Sequence, residues 1–132
     1  MLLVDTHVLV DVLQDDPQWA NWSIGQMRAQ ASLHQLAINP VIYAEISLSF
    51  STLEALDRVV ATLALELRQI PRPALFLAAK AYAQYRKRGG TRLQVLPDFF
   101  IGAHAAVERW PLLTRDASRF RTYFPTLEVL AP

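Results

Sequence analysis

Three apolar residues, Leu2-Leu3-Val4, run directly into an aspartate, and the arrangement returns late in the chain as Leu112-Leu113-Thr114-Arg115-Asp116. A continuous apolar run this short marks a strand buried on both faces, as in a parallel sheet covered by helices. Open sheets of that kind build their sites beyond the carboxyl ends of the strands, where Asp5 and Asp116 would then stand. Leu36-Ala37-Ile38 is a third such run, and the alternation in Thr126-Leu127-Glu128-Val129-Leu130 suits one more strand that closes the sheet.

Helical patterns fill the intervals. Val8 to Leu13 continues as a helix, and Asp16-Pro17 supplies an N-cap and a first-turn proline for a second one through about Leu33, with Trp22, Ala29 and Leu33 on one face. Asn39-Pro40 starts another, which carries Val41, Ile42, Ala44, Glu45, Ile46 and Leu48. Ser51 to Leu67 reads mostly as helix, Pro71 and Pro73 interrupt it, and a further helix spans about Ala74 to Arg88. There Leu75, Ala78, Ala79 and Tyr82 form a stripe, and Lys87-Arg88-Gly89-Gly90 forms the stop. Asp98 can cap a helix containing Ile101, Ala105 and Val107. Strands alternating with helices place the chain in the α/β class, and no repeat or linker divides it, so residues 1–132 are expected to form one domain.

Charge and composition narrow the function. Thirteen Lys and Arg stand against twelve Asp and Glu, a formal charge of +1, which excludes wholesale polycation binding. The absence of Cys excludes disulfides, thiolate metal sites and cysteine nucleophiles. No secretory pattern opens the chain and no apolar run is long enough to span a bilayer, so the expected location is cytoplasmic, away from membranes.

Four acids occupy unusual settings: Asp5 and Asp116 after strands, Asp98 at the start of a helix, and Glu45 beside the apolar face of another. An ionised carboxylate on an apolar face is costly unless something compensates it. Brought together above one sheet edge, the four would repel, and a divalent cation would favour their ionised forms. Oxygen ligands suit Mg²⁺ or Mn²⁺, ions that activate water against a phosphodiester. Residues 68 to 97 contain Arg68, Arg72, Lys80, Arg86, Lys87, Arg88 and Arg92 and no acid, so a nearly neutral chain can present an acidic pocket on a more basic surface. Such cations position a nucleic-acid backbone or form a solvated face.

In combination these segments resemble a PIN-domain ribonuclease of the VapC toxin type. Leu3-Val4-Asp5-Thr6-His7 resembles the opening acidic motif and Glu45 the helical acid. Pro97-Asp98-Phe99-Phe100-Ile101-Gly102-Ala103-His104-Ala105 resembles the third motif, and Leu113-Thr114-Arg115-Asp116 with Arg119-Phe120 the fourth. The resemblance covers essentially the whole chain. It implies a three-layer α/β/α sandwich around a central, mostly parallel sheet. It also implies Mg²⁺-dependent, or Mn²⁺-dependent, endonucleolytic cleavage of RNA, with Asp5, Glu45, Asp98 and Asp116 as metal-site acids and Thr6 as the assisting hydroxyl. A homodimer and a cognate antitoxin that occludes the groove are implied as well, with operator DNA bound only through the antitoxin.

Other readings stay open at this level. His7 stands where many relatives have Asn or Ser, and it can orient a carboxylate or water or contact RNA. Arg115 and Arg119 are open between contact with RNA or a carboxylate and ordinary pairing, and Thr6 between the site and a backbone cap. His104 and His34 suit packing better than ligation, as do Trp19, Trp22, Tyr82 and Tyr85. The alternative function is a catalytically silent module that binds RNA or protein. A phosphatase with Asp5 as nucleophile is weaker, because Asp5-Thr6-His7 lacks the second nearby Asp.

Overall fold

The computed structural model describes all 132 residues. In chain order the elements are β1 (Leu2–Val4), α1 (Thr6–Leu13), α2 (Ala20–Ala31), β2 (Leu36–Ile38), α3 (Pro40–Ile46), α4 (Leu53–Thr62), β3 (Glu66–Leu67), α5 (Arg72–Lys87), α6 (Leu96–Glu108), β4 (Leu112–Leu113), α7 (Ser118–Tyr123) and β5 (Val129–Leu130). Short 3-10 turns at Ser47–Ser49 and Leu93–Val95 follow α3 and precede α6.

The five strands pair in the order β3-β2-β1-β4-β5, every pair parallel. From β1 the chain steps outward to β2 and β3 on one side, then crosses to β4 and β5 on the other. Right-handed crossovers therefore put α1 to α4 on one face and α5 to α7 on the opposite face, giving the expected α/β/α sandwich. All residues of β1, β2 and β4 are buried, which is why their sequences are unbroken apolar runs. The direction of winding reverses between β1 and β4, and at that reversal the loops diverge and leave a crevice beyond the strand ends. Leu3 lies opposite Leu112 and Val4 opposite Leu113, so Asp5 and Thr114 emerge side by side at the crevice.

Several expectations are corrected. The helix expected over Ser51 to Leu67 ends at Thr62, Ala64 turns left-handed at φ 52°, and Glu66-Leu67 becomes the edge strand β3, paired through Ala37 and Ile38. Both strand residues are exposed, so no burial pattern marks them in the sequence; the unfilled edge of β2 selects them. The second helix begins at Ala20, because Asp16 Oδ1 accepts from the amides of Gln18 and Trp19 and holds a turn there. Its buried residues are Ala20, Ser23 and Met27; of the face expected from the pattern, Trp22 packs half-buried against the core while Ala29 is exposed. Leu33 lies past the helix end, 73% exposed. α3 stops at Ile46 and leaves Leu48 90% exposed. α1 starts earlier than expected, at Thr6, because Asp5 is its N-cap, and α6 starts at Leu96, so Asp98 is a first-turn residue and not the cap. An acid in that turn faces the positive end of the helix dipole.

One close approach sets the packing of the C-terminal face. A Cβ on Gly102 of α6 would fall 2.5 Å from the Phe124 ring, so only glycine lets this ring lie against the helix. Gly102→Ala is expected to destabilise the protein by about 1 to 3 kcal/mol, the usual cost of an overpacked core, measured by thermal or urea denaturation.

Candidate functional site

Asp5 is almost wholly buried at the carboxyl end of β1, and each of its oxygens has a donor. The Thr6 amide donates to Oδ1 at 2.8 Å, as expected where the strand ends and Asp5 caps α1. The Thr114 hydroxyl donates to Oδ2 at 2.7 Å across the β1–β4 crevice, and the same hydroxyl accepts the Asp116 amide at 3.2 Å. Thr114 thus ties the first aspartate to the loop that carries the last. Thr6 makes a second tie, because its hydroxyl donates to Glu45 Oε1 at 2.6 Å while its amide holds Asp5. Glu45 reaches inward from α3, whose start is fixed by Pro40 and by Asn39 Oδ1 accepting the Ile42 amide.

Asp98 arrives from the other face on α6 and meets Arg119 of α7 in a 2.6 Å ion pair. Asp116 is exposed, and its Oδ1 accepts from the Ser118 amide and hydroxyl at 3.3 and 3.2 Å. His7 is exposed and close enough to Asp5 and Asp98 for its positive form to draw both carboxyls down. Arg115 turns away: it pairs at 3.1 Å with the buried Asp11, which also accepts the Ser23 hydroxyl, and lies over the Trp19 ring.

The electrostatics show which acids are neighbours. Burial pushes the Asp5 carboxyl up to about 6 against the pull of Thr114, and the nearby charge of Asp98 pushes in the same direction. Asp98 is also raised, first by burial and further by Asp116, although Arg119 lowers it by hydrogen bond and by charge. Asp98 thus lies within reach of the charges of both Asp5 and Asp116, Thr114 ties Asp5 to the Asp116 amide, and Glu45 is linked to Asp5 through Thr6. No set of three or more His, Asp or Glu side chains is arranged to hold a metal ion. The donor chemistry nevertheless suits a hard divalent cation, being oxygen throughout, and the two raised carboxyls owe their shift first to burial and only secondarily to the charge of a neighbouring acid. The largest cavity, about 650 Å³, lies elsewhere, at the opposite sheet edge where α6 leads into β4.

Reasoning from sequence missed Thr114, Asp11 and Ser23. The signal for Thr114 was a hydroxyl ending an apolar strand two residues before an acid; Asp11 and Ser23 left none, because their pairing depends on how α1 packs on α2. His104 is a packing residue, as expected, but an unusual one. Asn39 Oδ1 is occupied by the Ile42 amide, so the Asn39 amide nitrogen donates to His104 Nδ1 at 3.2 Å, and the ring proton sits on Nε2. Nε2 is buried with no hydrogen-bond partner, and the ring lies against Trp110.

The model of the PIN domain matches residues 2–124. The chain belongs to the PIN-domain family. Its fold matches VapBC2 from Rickettsia felis, bound to a promoter DNA fragment, with a TM-score of 0.75 at 17% identity over 99% of this chain and 98% of that one. VapBC-1 from nontypeable Haemophilus influenzae is similar at 0.74 and 16%, over 98% and 96%. DNA-bound VapBC from Salmonella typhimurium is similar at 0.71 and 18%, over 99% and 98%. No curated protein matches the sequence. This PIN-domain chain therefore has the fold of the VapBC-type toxins, as its motifs led one to expect.

Two predictions follow from burial. Desolvation penalises the charged Asp5 at neutral pH, so Asp5→Asn is expected to raise Tm at pH 7.5 in chelator, by the equivalent of roughly 3 kcal/mol at most. An unchanged or lower Tm contradicts that penalty. Burial, aided by the Arg68 charge, lowers the His104 pKa from 6.5 to about 4. Between those values the unfolded chain binds the proton and the folded one does not, so His104 costs stability progressively as pH falls from 6.5 to 4. His104→Gln is expected to flatten the denaturation midpoint over that window.

Proposed function

We propose that this PIN-domain chain is a metal-dependent endoribonuclease toxin neutralised by a cognate antitoxin. The observation that carries the reading is the convergence of Asp5, Asp98 and Asp116 at the β1–β4 crevice, with Glu45 tied in through Thr6. Asp5, Glu45, Asp98 and Asp116 would hold Mg²⁺, or Mn²⁺. Bound there, the ion supplies an activated water and neutralises charge developing at phosphorus. Thr114 and the Thr6 amide hold the Asp5 carboxylate in place, so it is oriented before any ligand arrives. The Thr6 hydroxyl does the same for Glu45. Arg119 neutralises Asp98 and stands beside the patch, where a guanidinium can turn to a phosphate oxygen. His7, exposed near Asp5 and Asp98, is placed to donate a hydrogen bond to a carboxylate or to touch RNA.

For partners, the similar structures are toxin–antitoxin complexes, and several contain DNA. An antitoxin as direct partner, a homodimer, and operator DNA reached only through the antitoxin fit that class. Leu48 and Leu53, both strongly exposed, support a protein partner on the α3–α4 side. No helix is long and apolar enough to cross a membrane. The second reading, a catalytically silent module binding RNA or protein, is favoured by one observation: Arg119 already neutralises Asp98 while no three-ligand set is in place.

The deciding experiment maps cuts in total cellular RNA by inhibitor-free protein in Mg²⁺, Mn²⁺ or chelator, with matched DNA as control. Discrete, metal-dependent RNA cuts are expected, reduced about 100-fold or more in folded Asp5→Asn and Asp98→Asn, as for loss of a charge-stabilising group. Folded, metal-loaded protein that binds RNA without cutting it would establish the silent module, and equal cutting of DNA would remove the preference for RNA.

A further inference from the structure

The seven cations between residues 68 and 97 do not form one surface. Arg72 stands at the start of α5, whereas Arg86, Lys87, Arg88 and Arg92 crowd into seven residues at its far end, about 20 Å away at 1.5 Å per residue. All four of these side chains are exposed, and the ion pairs of the protein involve none of them. The helix dipole accounts for Arg86 and Lys87 in the last turn. It does not account for Arg92, which lies beyond the helix in a segment without acids.

The segment carrying them is braced, through aromatic rings, on the helix that bears Asp98. Gly89 takes a φ of 90°, and a Cβ on Gly90 would fall 2.4 Å from the Tyr85 ring, so the turn folds tightly onto Tyr85. The Tyr85 hydroxyl accepts the Arg92 amide at 3.2 Å, and the Arg88 guanidinium lies 5.3 Å from the centre of the Tyr123 ring. Tyr85 and Tyr123 both pack on Phe99, the residue after Asp98. The same aromatic cluster therefore fastens the cations to the first turn of α6, which carries Asp98, and to α7, which carries Arg119.

We infer that Arg86, Lys87, Arg88 and Arg92 form a track for successive phosphates of an RNA strand leading away from the acidic patch. This deepens the nuclease reading and rests on it. A strand whose reacting phosphate sits among carboxylates needs cations nearby to hold its flanking phosphates, and unpaired guanidinium groups on a braced turn supply them. An acidic protein segment is the competing occupant.

The test measures binding in the Asp5→Asn background, so that no cleavage intervenes, using a labelled single-stranded RNA of about 20 nucleotides, longer than one such site. The variant Arg86→Gln, Lys87→Gln, Arg88→Gln, Arg92→Gln is compared with a charge-matched control, Arg28→Gln, Arg58→Gln, Arg72→Gln, Lys80→Gln, whose side chains are also exposed. Salt is varied from about 50 to 200 mM. The track predicts that the first variant binds about tenfold more weakly and loses about 0.7 of log–log salt slope per phosphate contact, two to three units in all, while the control keeps the parent slope. Equal losses in the two variants would reduce the effect to bulk charge and overturn the track. So would unchanged RNA binding by the first variant, and so would its loss of polyglutamate binding alone, which would assign the turn to a protein partner. If the Asp5→Asn parent binds no RNA, the nuclease reading fails, whereas parent-like binding by the first variant removes only the track.

Discussion

The hydrogen bond from Thr114 to Asp5 closes the crevice between β1 and β4, and the rest of the site is arranged around it. A carboxylate so deeply buried would be intolerable without donors, and here each oxygen has one. The donors are themselves committed: Thr6 also holds Glu45, and Thr114 also accepts the amide of Asp116. Two threonines thus connect three acids from β1, α3 and the loop after β4. The penalty left over appears as the raised carboxyls of Asp5 and Asp98, a local cost that Thr114 and Arg119 offset only in part.

Charge is separated on a second scale. The acids collect at the crevice, while two groups of cations, on the Arg86–Arg92 turn and on α7, are joined by tilted and edge-to-face aromatic rings. Arg115, which sequence proximity to Asp116 made a candidate for the site, instead braces α1 through Asp11. An ion pair with a buried partner costs too much to break for that arginine to double as a mobile contact. Arg119, the more weakly marked of the two, is the one that meets a carboxylate of the patch.

Much of the fold was legible because buried parallel strands leave an unambiguous mark: Leu2–Val4, Leu36–Ile38 and Leu112–Leu113 had no other use for unbroken apolar runs. Proline and asparagine at 39–40 marked the start of α3, and the glycines after Arg88 marked the end of α5, since both act through local backbone geometry. β3 was invisible, because an exposed two-residue strand is defined by the neighbour it pairs with. The inward face of α2 was misjudged in part, for a related reason. Ser23 turns inward to satisfy Asp11, a preference that hydrophobic periodicity cannot express.

The sequence by itself determined the class of fold, the acids at strand and helix ends, and the acid-free basic interval, since these follow from short-range pattern and charge counting. Only the tertiary structure decided that β1 lies beside β4, that Thr114 is the residue joining Asp5 to Asp116, and which arginines remain free. Those outcomes depend on contacts between residues as far apart as Asp5 and Thr114, and no local rule sets the position of a side chain against a partner brought to it by the sheet.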